Sequence, residues 1–133
     1  MKNKLLVTGG LGFIGSHFIS SLNDENYEIV CIDNLSNSKL TVLDRLHDAS
    51  SKKIHFYPID ITQKHLLEGI FTKHKDFSSI VHFAGLKSVN ESIQLPEKYY
   101  LNNVMGTLNL LDFFKHSSAE TFIFSSSATV YGD

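Results

Sequence analysis

Five short apolar runs, separated by longer amphipathic stretches, set what this chain can fold into. Residues 5–7 end in Thr8-Gly9-Gly10, residues 27–32 at Asp33, residues 54–59 at Asp60, residues 79–83 at Ala84-Gly85, and residues 121–124 at three serines. A short apolar run that stops at a glycine or a polar residue reads as a strand buried on both faces of a parallel sheet. The intervening stretches have helical spacing. Ile14, Phe18 and Leu22 form one stripe, and Leu66, Leu67, Ile70, Phe71 and His74 a second. Val104, Leu108 and Leu111 form a third, in a long helix that starts near Pro96, where a proline suits the first turn. Residues 36–46 carry a weaker helical pattern. The repetition predicts an α/β fold: a doubly wound parallel sheet of Rossmann type, incomplete, with about five strands, flanking helices and right-handed crossovers.

Size and charge remove several function classes. A chain of 133 residues makes one domain, and 42% hydrophobic with 20% charged residues is the balance of a globular protein. The net charge of -2 lacks the basic face a nucleic-acid binder needs. No apolar run approaches the ~18 residues of a membrane span. The opening Met1-Lys2-Asn3-Lys4 is basic, but the apolar stretch after it breaks at Thr8-Gly9-Gly10, which fits a first strand better than a signal peptide. The one cysteine, Cys31, sits inside an apolar run as a core thiol and permits no disulfide framework. The expected location is cytoplasmic, with no nucleic-acid or membrane partner. His17, His47, His55, His65, His74, His82 and His116 lack zinc-site spacing, so no metal is expected.

The segment Gly9-x-x-Gly12-x-x-Gly15 carries the strongest chemistry. Glycine is needed where the chain turns sharply out of a strand, where main-chain N–H groups must reach a pyrophosphate, and where a helix must pack closely. The start of the following helix then favours phosphate charge. A plain strand-to-helix turn would also explain three glycines. The strand before, the helix after, and Asp33 at the end of the next strand narrow the reading to a dinucleotide site. A carboxylate there accepts hydrogen bonds from a ribose diol and repels a 2′-phosphate, which favours NAD over NADP. No Gly-Lys-Ser/Thr follows, so a Walker-type loop is excluded. Asp60 reads equally as a contact to an adenine edge or as a helix cap before Thr62. Phe83, Ala84 and Gly85 end the fourth run, where small residues let a ligand approach the sheet edge. Taken alone, Lys87 is a solvated loop lysine and Ser125, Ser126 and Ser127 are a capped turn.

Longer stretches change those odds. Thr8-Gly9-Gly10-x-Gly12-x-Ile14-Gly15-Ser16-His17, Asp33-Asn34-Leu35-Ser36-Asn37-Ser38-Lys39 and His82-Phe83-Ala84-Gly85-Leu86-Lys87-Ser88-Val89 occur in order. Tyr99-Tyr100-x-Asn102-Asn103-Val104-x-Gly106-Thr107 and Phe124-Ser125-Ser126-Ser127-Ala128-Thr129-Val130-Tyr131-Gly132-Asp133 follow. Together they resemble the extended short-chain dehydrogenase/reductase family, and within it the UDP-sugar 4-epimerases. The resemblance spans the whole chain. It implies that Phe13 and Ile14 meet the pyrophosphate, that Asp33, Asn34, Asn37 and Ser38 surround the adenosine ribose, and that Asp60 and Ile61 hold the adenine. It further implies that Phe83, Ala84, Lys87, Asn102 and Ser125 line the rest of the NAD, and that Ser127 is catalytic, bonding the sugar 4-hydroxyl. The implied reaction interconverts UDP-glucose and UDP-galactose through a transient 4-keto sugar, with a tyrosine of a Tyr-x-x-x-Lys pair as base.

None of Tyr27, Tyr57, Tyr99, Tyr100 and Tyr131 has a lysine four residues on. Residues 1–133 are therefore expected to be the N-terminal part of an NAD-binding domain without its UDP-sugar domain, inactive alone, from an enzyme that is a homodimer at full length. Leu101 and Met105 stand where the family carries polar residues and suit the inner face of the helix. A related UDP-sugar epimerase, a nucleotide-sugar 4,6-dehydratase and a stand-alone NAD-binding module are the alternatives. The dehydratases place an acidic residue among the hydroxyls where this chain has Ser125 to Ala128.

Overall fold

The computed structural model describes residues 3–23 and 25–132. Met1 and Lys2 of the basic opening, and Asp133 of the last matching stretch, lie outside them. The chain runs β1 (Asn3–Thr8), α1 (Phe13–Ser21), β2 (Tyr27–Ile32), α2 (Thr41–Ala49), β3 (Lys53–Tyr57), α3 (Lys64–Lys73) and β4 (Phe77–His82). It continues through α4 (Val89–Gln94), α5 (Pro96–Tyr99), a π-helical segment (Tyr100–Met105), α6 (Gly106–His116), β5 (Thr121–Phe124) and a 3₁₀ turn (Ala128–Tyr131). All five strands are parallel, in the order β3-β2-β1-β4-β5.

Alternation along the strands divides the core between the two sheet faces. Leu5, Val7, Ile29, Cys31 and Val81 pack with Ile19 of α1 and Leu46 of α2. Leu6, Val30, Ile32 and Ile80 pack with Leu67 and Ile70 of α3 and Leu110 of α6. The chain leaves β1 toward β2 on the first face and returns to β4 on the second. The switch point therefore lies between β1 and β4, where Thr8 is level with both Ile32 and His82.

Several boundaries differ from the sequence reading, each for a local reason. The third strand stops at Tyr57, because Pro58 has no N–H to donate to the ladder, so Asp60 lies in the turn beyond it. The helix expected over residues 36–46 forms at Thr41–Ala49, because residues before it are held in a loop around the Asp33 side chain. In α1 the buried positions are Gly15 and Ile19, and Ile14 is exposed at the cleft.

The third stripe is out of phase. Val104 and Leu108 are exposed, as are Leu101 and Met105, which the sequence placed on the inner face. The Gly106 N–H reaches back five residues to the Leu101 carbonyl, and this wide turn breaks the expected helical phase. Below it, Gly106, Asn109 and Leu110 face the sheet. Gly106 admits the Ile61 side chain, whose Cδ1 would stand 2.6 Å from an added Cβ, and Asn109 Nδ2 donates to the Ile61 carbonyl at 3.1 Å.

Candidate functional site

The cleft starts at the end of β1. Gly9 turns with φ +66°, and a Cβ there would lie 2.6 Å from the Ala84 nitrogen. Only glycine lets this turn rest on the end of β4 in that conformation. The Gly9 N–H donates to Ile32 O of β2 at 2.8 Å and the Gly12 N–H to Gly9 O at 3.1 Å, so backbone bonds hold the turn, one within it and one to β2. Gly12 is the N-cap of α1, and among the described residues no side chain caps that helix start. Gly15 lies buried behind the turn. A Cβ on it would collide with the Gly9 carbonyl oxygen, so the close packing it permits is against the turn itself. The Cys31 thiol lies beneath Gly10. Burial, helped by the charge of Asp33, pushes that thiol up to about 12.

Asp33 ends β2 and points its carboxylate into the same turn. Oδ2 accepts the Leu11 N–H at 3.0 Å, and Oδ1 accepts the Leu35 N–H at 3.0 Å and the Ser38 hydroxyl at 2.7 Å. These bonds hold Leu35 at φ +58°, a left-handed conformation a leucine rarely adopts. A carboxylate offers about four acceptor positions. One position on Oδ2 is therefore left for a ligand hydroxyl.

Asp60 stands opposite. The Thr62 N–H and hydroxyl donate to Oδ1 at 2.8 and 2.7 Å, and Asn34 Nδ2 donates to Oδ2 at 2.8 Å. Burial works against ionisation, and these donors outweigh it, leaving the carboxyl below its usual pKa. Asp60 caps its own turn; the N-cap of α3 is Gln63.

Between these elements lies a cleft of about 430 Å³. Its floor and near wall are Gly9, Gly12, Phe13, Ile14, Asp33, Asn34, Asn37 and Ser38, and its far wall is Phe83, Ala84, Lys87 and Asn102. Ile61 lines it too, while Asp60 lines an adjoining hollow that shares Asn34, Asn37, Lys87 and Asn102. Most residues singled out in the sequence thus converge on one surface. Gly15 sits behind it. Ser125 and Ser127 follow β5 at the same sheet edge but do not line the cleft. Ser125 is engaged through its N–H with His82 O at 3.1 Å.

Sequence reasoning passed over Ile32, Ser36, Ile59 and Leu86, which also line the cleft, as does Gly85, expected there as a small residue at the sheet edge. Ile59 and Ile61 flank Asp60 in alternation, a pattern that could have marked an apolar wall. Asn103 was missed as a clamp: its Oδ1 accepts the Leu86 N–H at 2.8 Å and its Nδ2 donates to the Leu86 carbonyl at 3.0 Å.

A parallel sheet with its cleft at the switch point, entered over a glycine turn and a helix start, defines a doubly wound α/β unit of the Rossmann class. The chain belongs to the family whose model is described as GDP-mannose 4,6 dehydratase, which matches residues 6–133. It is 44% identical over 132 residues to the UDP-glucose 4-epimerase of Schizosaccharomyces pombe, covering 99% of this chain and 37% of that protein. It is 48% identical over 129 residues to the UDP-glucose 4-epimerase of Haemophilus influenzae, covering 97% and 38% respectively. The structure of the Bifidobacterium longum UDP-glucose 4-epimerase in complex with NAD+ and UDP superposes with a TM-score of 0.91 at 40% identity, over 98% of this chain and 38% of that one. The chain thus spans well under half the length of these relatives. Among the described residues no helix is long and apolar enough to cross a membrane.

Proposed function

We propose that this chain is the NAD-binding part of a UDP-glucose 4-epimerase, the activity that interconverts UDP-glucose and UDP-galactose through a 4-keto sugar. The observation that carries the reading is the junction of Gly9, Gly12 and the uncapped start of α1 with the Asp33 carboxylate in one cleft. The residues fit the cofactor. Main-chain N–H groups at the start of α1 suit a pyrophosphate. Asp33 Oδ2 has an acceptor position for a ribose hydroxyl. Ile32, Ile59 and Ile61 form an apolar wall for a base, with Asp60 beside it. Lys87 and Asn102 hold the far side. When bound, the nicotinamide supplies a hydride acceptor and donor.

Ser127 is assigned the sugar 4-hydroxyl, at the edge to which β5 delivers it. Without a Tyr-x-x-x-Lys pair these 133 residues hold no such base, so alone they bind NAD weakly and turn over no sugar. UDP-sugar is the substrate partner. The exposed Leu101, Val104, Met105 and Leu108 support a homodimer, and the unpaired Cys31 supports a cytoplasmic location. Calorimetric titration tests the reading: NAD binds this chain more tightly than NADP, and Asp33→Ala removes the preference. Equal affinity for both, or none, rejects it.

A further inference from the structure

A line of buried and partly buried hydrogen bonds links the glycine turn to the opposite wall of the cleft, and its centre is His82. This ring is 1% exposed at the end of β4, between Thr8 of β1 and Thr107 of α6. Thr8 Oγ1 lies 2.6 Å from His82 Nδ1, and Thr107 Oγ1 lies 2.9 Å from His82 Nε2.

The proton positions follow from what each partner can do. Thr107 donates its one hydroxyl proton to the Asn103 carbonyl at 2.6 Å. A carbonyl only accepts, so the Thr107 oxygen must accept from His82, which therefore carries its proton on Nε2. His82 Nδ1 then accepts the Thr8 hydroxyl, and the Thr8 oxygen accepts the Ala84 N–H at 3.4 Å. The ring is neutral, as burial requires. Phe122 and Phe124 pack against it from β5. Beyond Asn103 the line continues, because the Asn103 side chain grips both the N–H and the carbonyl of Leu86, and Lys87 is the next residue.

We propose that His82 is a positioning residue for the cleft: through Thr107 it fixes the backbone at Asn103, so that Leu86 and Lys87 stand at a set separation from the Gly9 turn. The ligand half of this inference rests on the NAD reading above; the mechanical half does not. The tethered residue, Asn103, lies within the π-helical segment Tyr100–Met105.

The experiment compares His82→Phe, Thr107→Val and His82→Gln in this chain, by amide hydrogen exchange and NAD titration. His82→Phe keeps the bulk of the ring and loses both bonds. Thr107→Val leaves the histidine in place. His82→Gln retains a donor toward Thr107. Loss of one such tether corresponds to about tenfold. Leu86 exchange is expected to quicken about tenfold in the first two variants, against an unchanged Val30 amide in the sheet centre, with NAD affinity about tenfold weaker and largely restored in His82→Gln. Leu86 exchange that does not change, or that quickens only in step with Val30, overturns the inference. So does NAD affinity that holds while Leu86 is freed. If the parent chain binds no NAD, the cofactor reading fails by itself, and Leu86 exchange still decides whether the tether exists.

Discussion

The Asp33 carboxylate accepts the main-chain N–H of Leu11 at 3.0 Å, which ties the end of β2 to the glycine turn that leaves β1. The other oxygen takes two more donors, from Leu35 and Ser38. All the partners donate, so an amide at this position must aim its NH₂ group at one of them. Asp33→Asn is therefore expected to lower stability by about 1–3 kcal/mol, read from urea unfolding, and to narrow the preference for NAD over NADP.

Two glycine-to-alanine changes should move stability in opposite directions. Gly15→Ala drives a methyl into the Gly9 carbonyl and costs about 1–3 kcal/mol or more. Gly69→Ala, within α3 and with nothing within 4 Å of the added Cβ, gains about 0.5–1 kcal/mol. Thermal unfolding of the two variants checks the pair, and equal signs would contradict the packing described.

Stability should fall as pH drops below neutrality. Burial lowers the His82 pKa to about 4, and burial also lowers that of His74. The unfolded chain takes up protons near pH 6.5 while the folded one does not. The contribution is therefore full above about 6.5 and is lost toward pH 4, up to about 3 kcal/mol for His82. Carboxylates with lowered pKa, such as Glu28 and Asp60, lose their contribution only below about pH 4.5. Denaturant midpoints measured from pH 7 to 4.5 should slope downward in the parent, and the slope should be shallower in His82→Phe.

Cys31 should resist a thiol-specific disulfide reagent in the folded chain. With its thiol pushed up to about 12 and fully buried, the thiolate fraction at pH 8 is roughly 10⁻⁴. Labelling should appear only in urea; rapid labelling of the native chain would mean that β2 opens locally.

Much of this architecture is legible in the amino-acid sequence. Strand β2 matches its apolar run, because a strand buried on both faces leaves a continuous signature. Strand β5 matches its run too, although it is a sheet-edge strand whose Ile123 and Phe124 are exposed rather than buried on both faces. The residues of the cleft were legible where glycine and aspartate do unusual work. What the sequence hid was packing by residues that are not apolar. The sheet-facing positions of α6 include Gly106 and Asn109, so the visible stripe of Val104 and Leu108 pointed to the wrong face. The clamp at Asn103 and the histidine behind it were equally silent. A hydrogen bond between residues 17 or 74 positions apart leaves no periodicity to read.

The wide turn at Tyr100–Met105 acts as a phase shifter in an otherwise continuous helical rod. Within it, Asn102 lines the crevice and Asn103 grips the Leu86 backbone; downstream, Asn109 and Leu110 are aimed at the sheet. Each residue of an α-helix advances about 100°. Removing one residue from that turn would straighten the rod and swing one of these sets off its target. Insertions and deletions there are thus coupled to two surfaces at once, and this stretch should tolerate changes of side chain far better than changes of length.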